Sequence, residues 1–93
     1  MNIDPEQHEL LAVTERLPAS PARVLEIGCG DGRLTRRYSA RVGSILAIDP
    51  DESLIAAFRT AGVDPNVDLR AAAIASLDFP DGAFDAVLFS WAL

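Results

Sequence analysis

At 93 residues and a formal net charge of −6, the chain is long enough for one domain at most and too acidic to favour a phosphate backbone. All eight basic residues are arginines, clustered no further than the pair Arg36-Arg37, so direct nucleic-acid binding is not expected. A single cysteine, Cys29, excludes an internal disulfide framework and a multi-cysteine metal site.

No apolar run approaches the roughly 20 residues that cross a bilayer, so no membrane partner is expected. Met1-Asn2-Ile3-Asp4-Pro5-Glu6 lacks the basic-then-apolar pattern of a secretory signal. A cytoplasmic protein is the default expectation.

The elements alternate along the chain. Asp4 suits a helix N-cap, Pro5 the first helical position and Gln7 a capping box, after which Leu10, Val13 and Leu17 recur at helical spacing. Pro18-Ala19-Ser20-Pro21 reads as a loop, dividing a helix and loop at 1–20 from a core at 21–93 of one domain. A strand is predicted at Arg23–Ile27. A second helix starts near Asp31, with Leu34, Tyr38 and Val42 on one face and Gly43 as its end.

Ser44–Ile48 is the next strand, and a third helix follows with Leu54, Phe58 and Ala61 inward and Gly62 as C-cap. A weaker strand lies near Asp68–Ala72, and Phe84–Ser90 is the last, after the turn Pro80-Asp81-Gly82. Strands separated by helices imply parallel βαβ units with right-handed crossovers. The expectation is a parallel sheet in the order 3-2-1-4, with ligands bound beyond the carboxyl ends of its strands.

The residues just after the strands are the chemically informative ones. Glu26-Ile27-Gly28-Cys29-Gly30-Asp31-Gly32 joins a strand to a helix. Gly28 permits a tight turn, Gly30 a close ligand approach, and Gly32 close packing of the following helix. The same turn without a ligand is the plain alternative. A dinucleotide site is the sharper competitor, but its fingerprint is G-x-G-x-x-G, whereas this spacing is G-x-G-x-G.

Glu26 and Asp31 would also repel a pyrophosphate and suit a ligand bearing an ammonium and a sulfonium. Asp31 could equally cap the second helix. Asp49 ends the second strand and is placed to accept both hydroxyl hydrogens of a ribose. It could instead cap the third helix, a task open equally to Asp51.

Val24-Leu25-Glu26-Ile27-Gly28-Cys29-Gly30-Asp31-Gly32-Arg33-Leu34 resembles motif I of the class I S-adenosylmethionine-dependent methyltransferases. Asp49-Pro50 resembles their second motif. The stretch from Leu77 to Val87 resembles the approach to the fourth strand in the type 11 subgroup, which mostly methylates small molecules. The resemblance implies an α/β, Rossmann-like three-layer sandwich that binds S-adenosyl-L-methionine, leaves S-adenosyl-L-homocysteine and methylates a small-molecule acceptor.

It further implies that Glu26 meets the cofactor's amino group through water or neighbouring backbone. Gly28, Cys29 and Gly30 then line the methionine portion, Asp49 holds the ribose, and Pro50 and Leu54 pack near the adenine or ribose. Ser90 and Trp91 approach the sulfonium and the substrate, with Trp91 equally readable as a core aromatic. One departure stands out: where the family has an aspartate against the adenine amino group, this chain has Ala73. The Ile74 N–H is left to reach the ring, with Ser76 or water replacing the carboxylate, at a cost of about 1 kcal/mol.

No acid–base pair is evident, so catalytic residues stay unassigned. His8 reads as a surface histidine, Cys29 has no partner histidine, and Asp78, Asp81 and Asp85 serve turns and solubility. Methyl transfer can rest on alignment of an already activated carbon. A non-catalytic cofactor-binding fragment remains the alternative reading, and a dinucleotide-dependent oxidoreductase a weaker one.

The run Ala86-Val87-Leu88-Phe89 reads as buried on both faces. A chain ending just past it is expected to be truncated. It then either needs its remainder or self-associates through the exposed fourth-strand edge.

Overall fold

A computed structural model describes residues 22–90 of the chain. The expected first helix with His8, and Trp91 at the other end, lie outside the described residues. The elements in order are β1 (Arg23–Ile27), α1 (Thr35–Tyr38), a 3-10 turn (Ser39–Arg41), β2 (Ser44–Asp49), α2 (Glu52–Ala61), β3 (Val67–Ala71), a second 3-10 turn (Ile74–Ser76) and β4 (Ala86–Phe89). All pairings are parallel and the strand order is 3-2-1-4, as the alternating pattern requires.

Strand alternation sorts the side chains between two faces. Val24 of β1, Ile45 and Ala47 of β2, Leu69 of β3 and Leu88 of β4 share one face with Leu34, Tyr38, Ile55 and Phe58 from the helical segments, and these form the core. On the other face Leu25 and Ile48 are buried, but Val87 is 52% exposed and Phe89 49%. This corrects the expectation that β4 is covered on both faces: among the described residues both helices lie over the first face only.

The second helix is much shorter than expected. The glycine turn occupies the chain through Leu34, and Asp31 caps nothing: α1 has Leu34 at its N-cap, with no side-chain bond. Its far end is converted to a 3-10 turn by a neighbouring loop. Asn66 Nδ2 donates to the carbonyls of Ser39 (2.8 Å) and Val42 (3.2 Å), and the Ser39 hydroxyl donates to Asp64. The Ser39 carbonyl accepts at the same time from the Val42 amide (3.4 Å), so the chain leaves helical geometry where Asn66 ties this end down.

In α2, Asp51, not Asp49, is the N-cap, accepting from the amides of Ser53 (2.9 Å) and Leu54 (3.2 Å). The helix buries Ile55 and Phe58 in the core and leaves Leu54 38% exposed and Ala61 exposed, so neither Leu54 nor Ala61 points inward as expected. Gly62, at φ 111°, closes the helix by donating to the carbonyls of Phe58 and Arg59.

Those helix-end bonds hold the Asp51 carboxyl below its ordinary range, the Ser53 hydroxyl first among them. A depressed folded-state value means the cap stabilises at pH above the ordinary aspartate value and is lost as pH falls through the folded one. Asp51→Ala is expected to lower Tm by a few degrees at pH 7. In thermal melts followed by circular dichroism, the gap to wild type should close below about pH 4.

Asp85, expected as a turn residue, staples β4 to β1. Its carboxylate accepts from the Arg23 amide (2.8 Å) and guanidinium (3.3 Å), while its own amide donates to the Arg23 carbonyl (2.7 Å). Among the described residues no helix is long and apolar enough to cross a membrane, and none of their His, Cys, Asp and Glu side chains form a group of three or more able to hold a metal.

Candidate functional site

At the carboxyl ends of β1 and β2 a cavity of about 280 Å³ is lined by Ile27, Gly28, Asp49, Pro50, Ala73 and Ile74. Five of these six are residues that the sequence singled out. Ile27 was not among them, because it reads only as the last strand residue before the turn. Larger hollows of about 390 and 360 Å³ open around Ser44 to Asp68 and around Ser39 to Asn66. They touch neither the glycine turn nor the carboxyl strand ends where parallel sheets bind ligands.

The turn needs its glycines. Gly28, Gly30 and Gly32 have φ of 79°, 57° and 89°, a region that other residues occupy only at a cost. Its amides are consumed by β2. Gly28 and Cys29 both donate to the Ile48 carbonyl (2.8 and 3.0 Å), and Gly30 donates to Asp49 Oδ2 (3.0 Å). The other Asp49 oxygen accepts from the Asp51 amide (2.9 Å).

Asp49 is therefore both the wall of the cavity and the clamp on the turn, only 7% exposed. Each carboxylate oxygen has a second lone pair, so both still have room for an incoming hydroxyl. A Cβ on Gly30 would meet nothing nearer than Leu54 Cδ1 at 4.0 Å, which leaves the turn open toward a ligand and sets Leu54 beside it.

Glu26 does not reach the cavity. It is wholly buried, flanked in register by Ala47 of β2 and Leu88 of β4. Its Oε1 accepts from the hydroxyls of Thr35 (2.8 Å) and Tyr38 (2.6 Å), and Ser90 Oγ lies 2.8 Å from Oε2. Burial pushes its carboxyl above the ordinary range, and the hydrogen bonds from Tyr38, Thr35 and Ser90 oppose the shift.

Thr35 and Tyr38 are the functional-site neighbours that sequence reasoning missed. Tyr38 was placed in the core as an apolar group. The signal that could have found its role is general: a buried phenol needs a hydrogen-bond partner.

Asp31 is half-buried beside the turn, its carbonyl accepting from Arg36 Nη2 (2.9 Å). Gly32 lies under the ring of Phe58, away from the cavity. Ser90 is half-buried at the end of β4, with its amide donating to the Ile27 carbonyl (3.0 Å). Ser76, considered as a stand-in for the missing adenine acceptor, instead donates its hydroxyl to the Ala73 carbonyl at 2.7 Å, and it does not line the cavity.

Cys29 is 6% exposed, and its thiol is pushed up to about 12, first by burial, with the acidic side chains around it adding to the shift. Nucleophilic use of this group is thereby disfavoured. Iodoacetamide should alkylate the native chain at pH 8 at least about tenfold more slowly than the urea-unfolded chain. Quenched mass spectrometry reads the difference.

Comparison with known proteins agrees with this geometry. Residues 24–93 match the family model described as "Methyltransferase domain". An uncharacterised methyltransferase of Mycobacterium bovis is 31% identical over 77 residues, which is 83% of this chain and 39% of that protein. The ubiquinone biosynthesis O-methyltransferase of Xylella fastidiosa is 37% identical over 78 residues, covering 81% of this chain and 32% of the relative.

Among solved structures, an S-adenosylmethionine-dependent methyltransferase from Mesorhizobium loti superposes with a TM-score of 0.67. It is 28% identical, and the match covers 85% of this chain and 37% of that one. The chain thus spans between about a third and two-fifths of the length of these relatives. On its sheet order, its glycine turn and these matches together, the chain belongs to the methyltransferase-domain family, with the Rossmann-like fold of the S-adenosylmethionine-dependent enzymes.

Proposed function

We propose that the chain is the cofactor-binding part of an S-adenosylmethionine-dependent methyltransferase. The observation that carries the reading is the wiring of the glycine turn. Gly28, Cys29 and Gly30 have given their amides to Ile48 and Asp49, so no run of free N–H groups awaits a phosphate, and α1 is a four-residue helix. A dinucleotide pyrophosphate needs those donors and a helix dipole. What the cavity offers instead is a carboxylate with open lone pairs, backbone carbonyls and the apolar walls of Ile27, Pro50, Ala73 and Ile74. That set suits a nucleoside with an uncharged linkage and a cationic tail.

In this reading Asp49 holds the ribose hydroxyls and Gly28, Cys29 and Gly30 flank the methionine portion. Pro50, Leu54, Ala73 and Ile74 enclose the adenine side. Asp31 contributes negative potential, Gly32 keeps the turn seated, and Glu26 and Ser90 act from behind the turn. The bound cofactor supplies an electrophilic methyl group; the chain's own part is to bind and align it.

A small-molecule acceptor and a cytoplasmic setting belong to the same reading, the former supported by the relative that acts in ubiquinone biosynthesis. The half-exposed Val87 and Phe89 support association of that sheet face with a second copy of the chain, which concentration-dependent light scattering tests.

Calorimetric titration with S-adenosylhomocysteine is the test. Saturable binding is expected, weakened at least about tenfold by Asp49→Asn, which keeps one acceptor for the turn but loses the charge-assisted pair. NAD is expected to bind more weakly than S-adenosylhomocysteine, and the reverse order overturns the reading. If S-adenosylhomocysteine binds but the full-length protein transfers no methyl group, the non-catalytic alternative takes its place.

A further inference from the structure

Ser90 Oγ stands 2.8 Å from two acceptors, Glu26 Oε2 and the Gly28 carbonyl oxygen, yet a serine hydroxyl has one hydrogen to give. The Gly28 carbonyl can only accept. Were Glu26 ionised, one of the two contacts would set lone pair against lone pair. With a proton on Oε2 every group is satisfied. Glu26 donates to Ser90, Ser90 donates to Gly28, and Oε1, now a carbonyl oxygen with two lone pairs, accepts from Thr35 and Tyr38.

The surroundings agree. Packed around the carboxyl are Ala47 of β2 and Leu88 of β4 in register, Thr35 and Tyr38 of α1, and Cys29 in the turn. The acidic Asp49 and Asp31 lie close enough, with Glu26, to act on the Cys29 thiol. Of the α1 arginines, Arg36 sits over the Phe58 ring and bonds the Asp31 carbonyl, and both Arg36 and Arg37 are exposed. No cation is therefore among the groups named around Glu26: burial disfavours its charged form, and the hydrogen bonds from Tyr38 and Thr35 only partly oppose that.

We infer that Glu26 is a neutral acid in the unliganded protein and that Ser90 couples it to the glycine turn, so that a cofactor bearing an ammonium against Gly28 binds with release of the Glu26 proton. The inference rests on the cofactor reading above. When positive charge arrives at the Gly28 carbonyl, the O–H bond of Glu26 breaks and its proton passes to solvent. The Ser90 hydroxyl turns to donate to the new carboxylate, which the nearby cation stabilises. Ser90 is thus a positioning residue.

Two measurements on the 93-residue chain separate the acid from its coupling. Infrared spectra at neutral pH are expected to show a protonated-carboxyl C=O band that Glu26→Gln abolishes, and its absence from wild type overturns the neutral acid whatever binds. Calorimetry with S-adenosylhomocysteine in two buffers of different ionisation enthalpy is expected to show proton release, with affinity rising by up to about tenfold per pH unit.

Glu26→Gln should abolish that release, Ser90→Ala diminish it and Ser90→Thr restore it. Binding with no proton release overturns the coupling. No binding at all removes the cofactor reading and the coupling with it, while the infrared band still decides the state of Glu26.

Discussion

Gly32→Ala is expected to cost about 3–5 kcal/mol, a large share of what holds a domain of this size together. Two penalties combine. An alanine Cβ would land 2.6 Å from Cε2 and Cζ of Phe58 and 2.8 Å from Cδ2, and the backbone at that position has φ 89°. Forcing a non-glycine residue into such a conformation costs about 1–3 kcal/mol, and overpacking a core about the same again.

Phe58 cannot swing aside, because it is 1% exposed and belongs to the central cluster under α2. Urea or thermal unfolding followed by circular dichroism reads the loss. Gly32→Ala combined with Phe58→Leu should lose less than the sum of the two changes, since the shorter side chain relieves the clash and leaves only the backbone strain. Strict additivity would show that the collision is not the cause. Gly30→Ala is the contrast: its Cβ finds open space, so stability should fall little while the approach of a ligand is narrowed.

Glu26→Ala is the second large effect, at about 3–5 kcal/mol. It strands the hydroxyls of Thr35 and Tyr38, 1% and 0% exposed, together with that of Ser90. Each buried polar group left unpaired costs about 1–3 kcal/mol, partly offset where Ser90 still reaches the Gly28 carbonyl. Glu26→Gln should stay within about 1 kcal/mol of wild type, because an amide reproduces the pattern of the protonated acid: its oxygen accepts twice and its nitrogen donates to Ser90.

The pH dependence follows from the raised carboxyl. Below the ordinary glutamate range the side chain is neutral in both folded and unfolded chains, and its full contribution is present. As pH rises between the ordinary and the raised value, the unfolded chain gives up its proton first and stability falls. Glu26→Gln lacks that slope, so it should gain on wild type across that window. Chemical denaturation at a series of pH values checks both the size of the Glu26→Ala loss and the crossing of the other two curves.

Much of this arrangement was legible before any coordinates, and the remainder failed for identifiable reasons. Strand alternation gave the sheet order, and the residues following its strands gave Gly28 and Asp49 at the cavity, whereas Pro50, Ala73 and Ile74 came from the family resemblance. The second helix differs from expectation because the glycine turn takes up the chain through Leu34 and because Asn66, distant in sequence, fastens the other end by its side-chain amide. In the third helix, Leu54 and Ile55 both stand at helical spacing from Phe58, so spacing alone could not choose between them, and the fold turns Ile55 inward and leaves Leu54 out.

Four consecutive apolar residues in β4 spoke for two covered faces, yet hydrophobicity states only that a surface wants cover and never what supplies it. The carboxyl of Glu26 was visible as an acid beside the turn. Its enclosure by three hydroxyls was not, since two come from α1 and the third from Ser90 past β4, and they meet only in the fold.

The binding of three successive turn amides to β2 also bears on how fast a ligand comes and goes. A loop already held in one conformation surrenders little entropy on complex formation and needs no closing step before capture. Association should then be set by diffusion into a standing cleft, and changes to Ala73 or Ile74, which only line it, should appear chiefly as altered residence time. Amide hydrogen exchange should find Gly28, Cys29 and Gly30 protected before any ligand is added, unusually for a loop that handles one.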